Sequence, residues 1–229
     1  MIDALPGPDY GRPSPAPGGG RLFAVVPVKS LEAAKSRLRP TLSGRERAGL
    51  AARLLGGVLR ALNDSDVAAA VAVVSPDPRV LRLAASVGAV GLRQHTGDLN
   101  AALDLARAWA VAGGADTLLV LLGDLPLLQA GDVRAMAEIA ADPIRGAPVV
   151  VLAPDRHGLG TNALLQRPPG IVPFQFGHDS FPRHFRAAAA NSAEIMIYRS
   201  PGTAFDLDTP GDLADLPAGF PLRVAARPT

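Results

Sequence analysis

Cysteine is absent from the 229-residue chain, so neither disulfide bonds nor thiolate metal ligands are available to it. Aromatic residues make up only 4%, too few for the stacking platforms that hold single-stranded nucleic acids. The net charge of +2 is equally poor footing for a nucleic-acid partner. No apolar run reaches the roughly 18 residues of a spanning helix, and the N-terminus lacks the charged-then-apolar pattern of a signal peptide. A soluble cytoplasmic protein without a membrane partner is therefore expected. The four His residues show no HExxH or comparable spacing, which argues against zinc. Ser36, Ser43 and Ser75 lack a G-x-S-x-G setting, which argues against a hydrolase triad. Neither a P-loop nor G-x-G-x-x-G occurs, so any phosphate must be held mainly by side-chain charge.

What is present suits one α/β domain. Hydrophobic residues make up 48% of the chain, enough for a real core. Residues 1–20 contain ten Pro or Gly and read as a disordered tail, residues 217–229 as a shorter one, with the domain spanning 21–216. Arg21–Val28 reads as the first strand. Ser43-Gly-Arg-Glu46 has the form of a capping box, and Leu50, Leu54, Val58 and Leu62 define the buried face of the helix that follows. Strands are expected at Ala69–Val74, Ala89–Leu92, Thr117–Leu122 and Pro148–Leu152. Helices are expected between them, near Pro78–Val87, Gly97–Gly113 and Gly131–Ala141. This alternation predicts βαβ units on a mostly parallel central sheet with helices on both faces. The last third is less regular: a short strand at Thr161–Leu165, a helix over Ser180–Ala190, an edge strand at Glu194–Tyr198, and a final helix capped by Thr209.

Four stretches carry chemistry. Thr117–Pro126, TLLVLLGDLP, reads as a strand buried on both faces that delivers Asp124 at its carboxyl end, where open α/β sheets bind ligands. Asp124 is a candidate Mg²⁺ ligand, or it closes a turn or caps the next helix. Lys29 and Lys35 are the only lysines against 21 Arg, and with Arg37 they place three positive charges in one loop after the first strand. That loop is either a phosphate site built on compact ammonium charge or a solvated basic surface. The glycines of Asp155–Leu165 let the backbone approach a ligand, with Thr161 and Asn162 offering hydrogen bonds and His157 a candidate substrate contact. In Phe176–His184, Gly177, Ser180 and Arg183 frame a helix N-terminus that would bind an anion through free N–H groups, unless Asp179 or Ser180 only caps the helix. Finally, Asp206-Leu-Asp208 puts two acids on one face of an extended segment, and either could complete a Mg²⁺ site with Asp124.

Taken in order, V-P-V-K-x-L-x-x-A-K-x-R-L, G-D-L-P, D-R-x-G-x-G-T-N-A-L, F-G-x-D-S-x-x-R-H and D-x-D-T-P-x-D-L resemble the CofC/FbiD family, guanylyltransferases of coenzyme F-420 biosynthesis. The resemblance runs from about Arg21 to Leu216. It implies a single-domain Rossmann-like nucleotidyltransferase fold like that of the molybdenum-cofactor guanylyltransferases. The implied reaction joins GMP from GTP to the phosphate of a three-carbon acid, phosphoenolpyruvate or 2-phospho-L-lactate, with 3-phospho-D-glycerate an alternative, and releases pyrophosphate. By that resemblance Lys29 binds phosphate, Asp124 holds Mg²⁺ with Asp208, and Thr161, Gly177 and Ser180 cradle the acid; from the residues alone Asp206 is the other choice of metal ligand, and His157 is either a further contact to the acid or a surface-loop histidine. The nucleotide is expected along Pro27, Val28, Lys35, Arg37 and Gly123. Leu159 departs from the family, which commonly has a small or hydroxyl residue there. A deazaflavin transferase is the implied acceptor of the product, and a homodimer is an allowed assembly. The competing readings are a molybdenum-cofactor-type nucleotidyltransferase, which would usually open with a Gly-rich loop missing here, and a GTP-binding module without turnover.

Overall fold

The computed structural model describes residues 20–95, 97–141 and 147–217. The expected tails lie outside these residues except for Gly20 and Pro217. Seven strands, β1 (Leu22–Pro27), β2 (Ala70–Ser75), β3 (Val90–Arg93), β4 (Thr117–Leu121), β5 (Val149–Pro154), β6 (Thr161–Arg167) and β7 (Glu194–Ile197), form one sheet in the order β3-β2-β1-β4-β6-β5-β7. Every pairing is parallel except the two made by β6, which runs against β4 and β5. The helices are α1 (Gly44–Ser65), α2 (Pro78–Ser86), α3 (Leu99–Ala112), α4 (Ala130–Ala141), α5 (Ser180–Ala190), α6 (Pro201–Ala204) and α7 (Pro210–Ala214). The predicted elements are all present. The short α6 and a 3₁₀ turn at Ser36–Leu38 were not expected, because neither is long enough to show a hydrophobic period.

Local chemistry sets the boundaries. Ser43 Oγ accepts from Glu46 N while Glu46 Oε2 accepts from Ser43 N, the reciprocal pair that starts α1. Asp77 caps α2, and Thr209 caps α7 with Asp212 answering. Along β1 the side chains alternate between two cores. Leu22, Ala24 and Val26 enter the core shared with α1, α2 and α4, whereas Phe23 and Val25 enter the one shared with α3 and α5. A strand buried on both faces reads as an unbroken apolar run, and each fully buried Val or Leu stabilises the fold by roughly 1.5–3 kcal/mol.

This topology also selects an edge. β1 lies between β2 and β4, whose connections run in opposite directions across the sheet, and the crevice at such a switch point lies beyond the carboxyl ends of the strands. Because β6 is antiparallel, its amino end, with Thr161 and Asn162, arrives at the same edge as Asp124.

Candidate active site

The loop after β1 is held by groups outside the cleft. Leu31 N donates to Asp77 Oδ2 at 3.0 Å, and the Ala34 carbonyl accepts from the Arg47 guanidinium at 3.0 Å. The hydrogen bond from Arg79 pulls the Asp77 carboxyl down to about 2, so it stays charged while it holds the loop. Directly after these anchors Lys35 adopts φ 52°, ψ 42°, a left-handed conformation that costs a non-glycine residue on the order of 1 kcal/mol. The compensation is visible at its tip. The ammonium donates to Asp124 Oδ2 at 2.7 Å and to Asp208 Oδ1 at 2.8 Å. Burial opposes the lysine charge, but attraction to the two carboxylates outweighs it and raises the pKa of Lys35.

A third apolar cluster explains how Asp208 reaches this place. Leu207 is fully buried with Leu38, Leu42, Leu50 and Leu54, so the acids on either side of it are turned away from that cluster. Leu207 N also donates to the Asp124 carbonyl at 3.1 Å, which fixes the register of the two acidic segments. Asp206 is held elsewhere. Its Oδ1 accepts from Asn162 Nδ2 at 3.3 Å, and burial together with repulsion from Asp124 raises its pKa. Asn162 thus orients an acid and α6, to whose Thr203 carbonyl it also donates, instead of facing a ligand as expected.

The carboxylate pair opens into a cleft of about 370 Å³ lined by Pro27, Val28, Lys29, Lys35, Arg37, Gly123, Asp124 and Asp208 among others, a volume within the usual range for small-molecule sites. A larger groove of about 850 Å³ beside α1 contains none of the candidate catalytic, substrate or metal residues. Among the described residues no group of three or more His, Asp or Glu gathers as a metal site. A Mg²⁺ ion nevertheless fits the pair, because that ion commonly takes one or two carboxylates plus phosphate oxygens and water. Asp124 and Asp208 already converge on one cation, the ammonium of Lys35, and Asp124 Oδ1 is buried without a hydrogen-bond partner. An orphaned carboxylate oxygen beside a resident cation suits a second positive charge.

The remaining residues form a second group beside the first, linked to it where Leu122 N donates to the Asn162 carbonyl. Asp155 folds the loop before β6 by accepting from the backbone N–H groups of His157, Leu159 and Gly160. A Cβ on Gly160 would lie 2.7 Å from Asp155 Oδ2, so only glycine fits. Arg156 pairs with Asp212 and Asp215 and stacks on Phe205, binding this loop to the C-terminal segment. Thr161 N donates to Ser180 Oγ at 2.8 Å, and Thr161 Oγ1 lies 3.0 Å from His184 Nδ1. Gly177 stands open at φ 122°, a conformation that L side chains rarely adopt.

One expectation needs correction. The amino end of α5 does not offer the free N–H groups foreseen for an anion. Ser180 N is taken by the Gly177 carbonyl, Phe181 N by the Leu159 carbonyl, residue 182 is proline, and Arg183 points its guanidinium at the carbonyls of His178 and Asp179. Asp179 occupies the cap position but makes no capping bond. The side-chain hydroxyls nearest that helix end are those of Thr161 and Ser180, both almost fully buried. The direct partner of the carboxylates is Lys35, expected on the nucleotide, whereas Lys29 is exposed along the cleft wall. His157 joins neither group; its ring is exposed and only its backbone closes the Asp155 loop. The role of His184 was missed, since a histidine inside a helix has no sequence signature for burial against a threonine.

A mostly parallel sheet with two carboxylates converging at its switch point suits a nucleotide bound through a divalent cation. Among solved structures, a putative nucleotide-diphospho-sugar transferase from Desulfovibrio desulfuricans G20 superposes with a TM-score of 0.67 over 84% of both chains, at 18% identity, which bears on the fold alone. The family model described as guanylyl transferase CofC like matches residues 22–218, and the chain belongs to that family. It is 48% identical over 197 residues to a phosphoenolpyruvate guanylyltransferase of Rubrobacter xylanophilus, covering 86% of this chain and 94% of the relative. It is 46% identical over 200 residues to one of Sphaerobacter thermophilus, covering 87% and 94%. A 3-phospho-D-glycerate guanylyltransferase of Colwellia psychrerythraea is more distant, 31% identical over 84% of this chain and 90% of the relative. The protein is an enzyme of the nucleotidyltransferase class.

Proposed function

We propose that the protein transfers GMP from GTP to the phosphate of phosphoenolpyruvate, with 2-phospho-L-lactate the nearest alternative acceptor, and releases pyrophosphate. An acceptor phosphate oxygen attacks the α-phosphorus of GTP. The bond from that phosphorus to the oxygen bridging to the β-phosphate breaks, and the electron pair leaves with pyrophosphate. The acceptor oxygen is already anionic at neutral pH, so no general base is needed, and catalysis reduces to alignment and charge neutralisation. The observation that carries this reading is the convergence of Asp124 and Asp208 on one cation at the switch point, beside the only two lysines.

Asp124 and Asp208 would hold Mg²⁺, which when bound neutralises charge on the transferring phosphate. Lys35 would release its carboxylates to that ion and turn to phosphate oxygens, with Lys29 and Arg37 flanking the triphosphate. Thr161, Gly177 and Ser180 would take the phospho-acid. We infer a place in coenzyme F-420 assembly in the cytoplasm, with a deazaflavin transferase consuming the product; no helix among the described residues is long and apolar enough to cross a membrane. The test is incubation with GTP, Mg²⁺ and each of phosphoenolpyruvate, 2-phospho-L-lactate and 3-phospho-D-glycerate, following pyrophosphate and the guanylylated acid by mass spectrometry. Product with phosphoenolpyruvate is expected. Turnover of the glycerate alone would transfer the assignment to that acid, and GTP binding without pyrophosphate from any acid would leave a non-catalytic module.

A further inference from the structure

We propose that His184 is a positioning residue that occupies one lone pair of the Thr161 hydroxyl and so turns the hydroxyl hydrogen towards the phospho-acid, where it meets an acceptor oxygen of a carboxylate or phosphate. The inference rests on the reading above, in which Thr161 and Ser180 hold the phospho-acid.

His184 is fully buried, with its ring edge-on to Phe176 at 4.9 Å. Its Nε2 lies 2.9 Å from Gln175 N, a backbone group that can only donate, so Nε2 is the acceptor and Nδ1 carries the hydrogen. Nδ1 must then donate to Thr161 Oγ1. A second proton on the ring would face the Gln175 N–H, so the geometry requires neutral imidazole. Burial and the neighbouring Arg183 depress the pKa to about 4, which keeps a single tautomer at neutral pH. With a lone pair of its oxygen occupied, Thr161 is left with its own hydrogen to offer. Ser180 is arranged in the same sense, because its Oγ already accepts from Thr161 N. Two neighbouring hydroxyls thus have an internal donor each and retain a hydrogen apiece. An acceptor oxygen on the ligand satisfies these hydrogens, and a ligand without one leaves buried donors unpaired, a mismatch that weakens binding.

The two ring nitrogens can be tested separately. In His184→Asn the amide nitrogen can take the place of Nδ1, whereas His184→Gln reaches the Nε2 position and can still accept from Gln175 N. If His184 acts through Thr161, the Asn variant keeps its KM for the phospho-acid within about threefold. The Gln variant raises that KM roughly tenfold to a hundredfold, with the KM for GTP unchanged in both. In a Thr161→Val background the Gln substitution should add nothing, because the hydroxyl it would release is gone. Equal effects of Asn and Gln that follow the loss in Tm, or additive effects in the Thr161→Val background, would reduce His184 to a packing residue and overturn the proposal. Should the Gln variant not fold, Thr161→Val alone must reproduce the acid-specific rise in KM, and an unchanged KM overturns the proposal. Ser180→Ala separates the two levels. A rise in acid KM there with none in Thr161→Val sinks only the His184 role, whereas no effect in either removes these residues from the acid site.

Discussion

Replacing Lys35 by Met deletes the charge that joins Asp124 to Asp208 and keeps the apolar stem. The ammonium makes contacts of 2.7 and 2.8 Å and its side chain is 7% exposed. Removing one partner of a fully buried pair costs about 3–5 kcal/mol. The carboxylates here retain 26% and 39% exposure, so water screens the two charges left facing each other, and about 2 kcal/mol is a better figure. For a domain of this size that is a fall in Tm of roughly 4–8 °C. The left-handed backbone of Lys35 is common to the wild type and the Met variant and cancels between them, whereas Lys35→Gly should recover about 1 kcal/mol of the loss. The informative measurement is calorimetry with EDTA and with saturating Mg²⁺. In the wild type the ammonium and the metal compete for the same oxygens, but in the Met variant the metal has them to itself, and binding to the folded state alone raises Tm. Mg²⁺ should therefore stabilise Lys35→Met more than the wild type, although the variant turns over more slowly. An unchanged Tm in EDTA, or equal shifts with Mg²⁺, would refute the idea that Lys35 and the metal share a place.

Asp124→Asn and Asp208→Asn should each lower turnover by about a hundredfold or more, and Asp206→Asn by less, since Asp206 is already engaged by Asn162; steady-state kinetics would rank them, and a larger loss at Asp206 would reassign the metal ligand. Stability should fall as pH drops from 6.5 towards 4, because His184 is held neutral in the folded protein while the unfolded chain takes up a proton below its ordinary value of 6.5. This contribution is fully present above pH 6.5 and is on the order of 3 kcal/mol. Urea titrations of wild type and His184→Asn should converge over that window, and parallel curves would contradict the burial argument. Asp77→Ala frees Leu31 N and removes the partner of Arg79, so the KM for GTP should rise several-fold and Tm should fall; unchanged kinetics would mean that the Lys loop holds its shape unaided.

Local chemistry in the chain was enough to set much of the architecture. The uninterrupted apolar strands, the Ser43–Glu46 capping box and the strand–helix alternation follow from short-range rules of burial, periodicity and backbone hydrogen bonding. These dictated a mostly parallel sheet and placed Asp124 and the lysine loop at its ligand-binding edge. What lay beyond sequence was decided by contacts between distant residues. Leu207, buried beside Leu38 and Leu50, brings Asp208 to Asp124, and the periodicity of α1 shows that Leu50 and Leu54 are buried but not that a distant leucine covers them. The reversal of β6 brings Thr161 to the same edge, and backbone carbonyls occupy the first N–H groups of α5. Which lysine meets the acids, and which nitrogen of His184 carries its proton, depend on distances of about 3 Å between residues 9 to 89 positions apart. Spacing along a chain does not encode such distances; only the folded packing does.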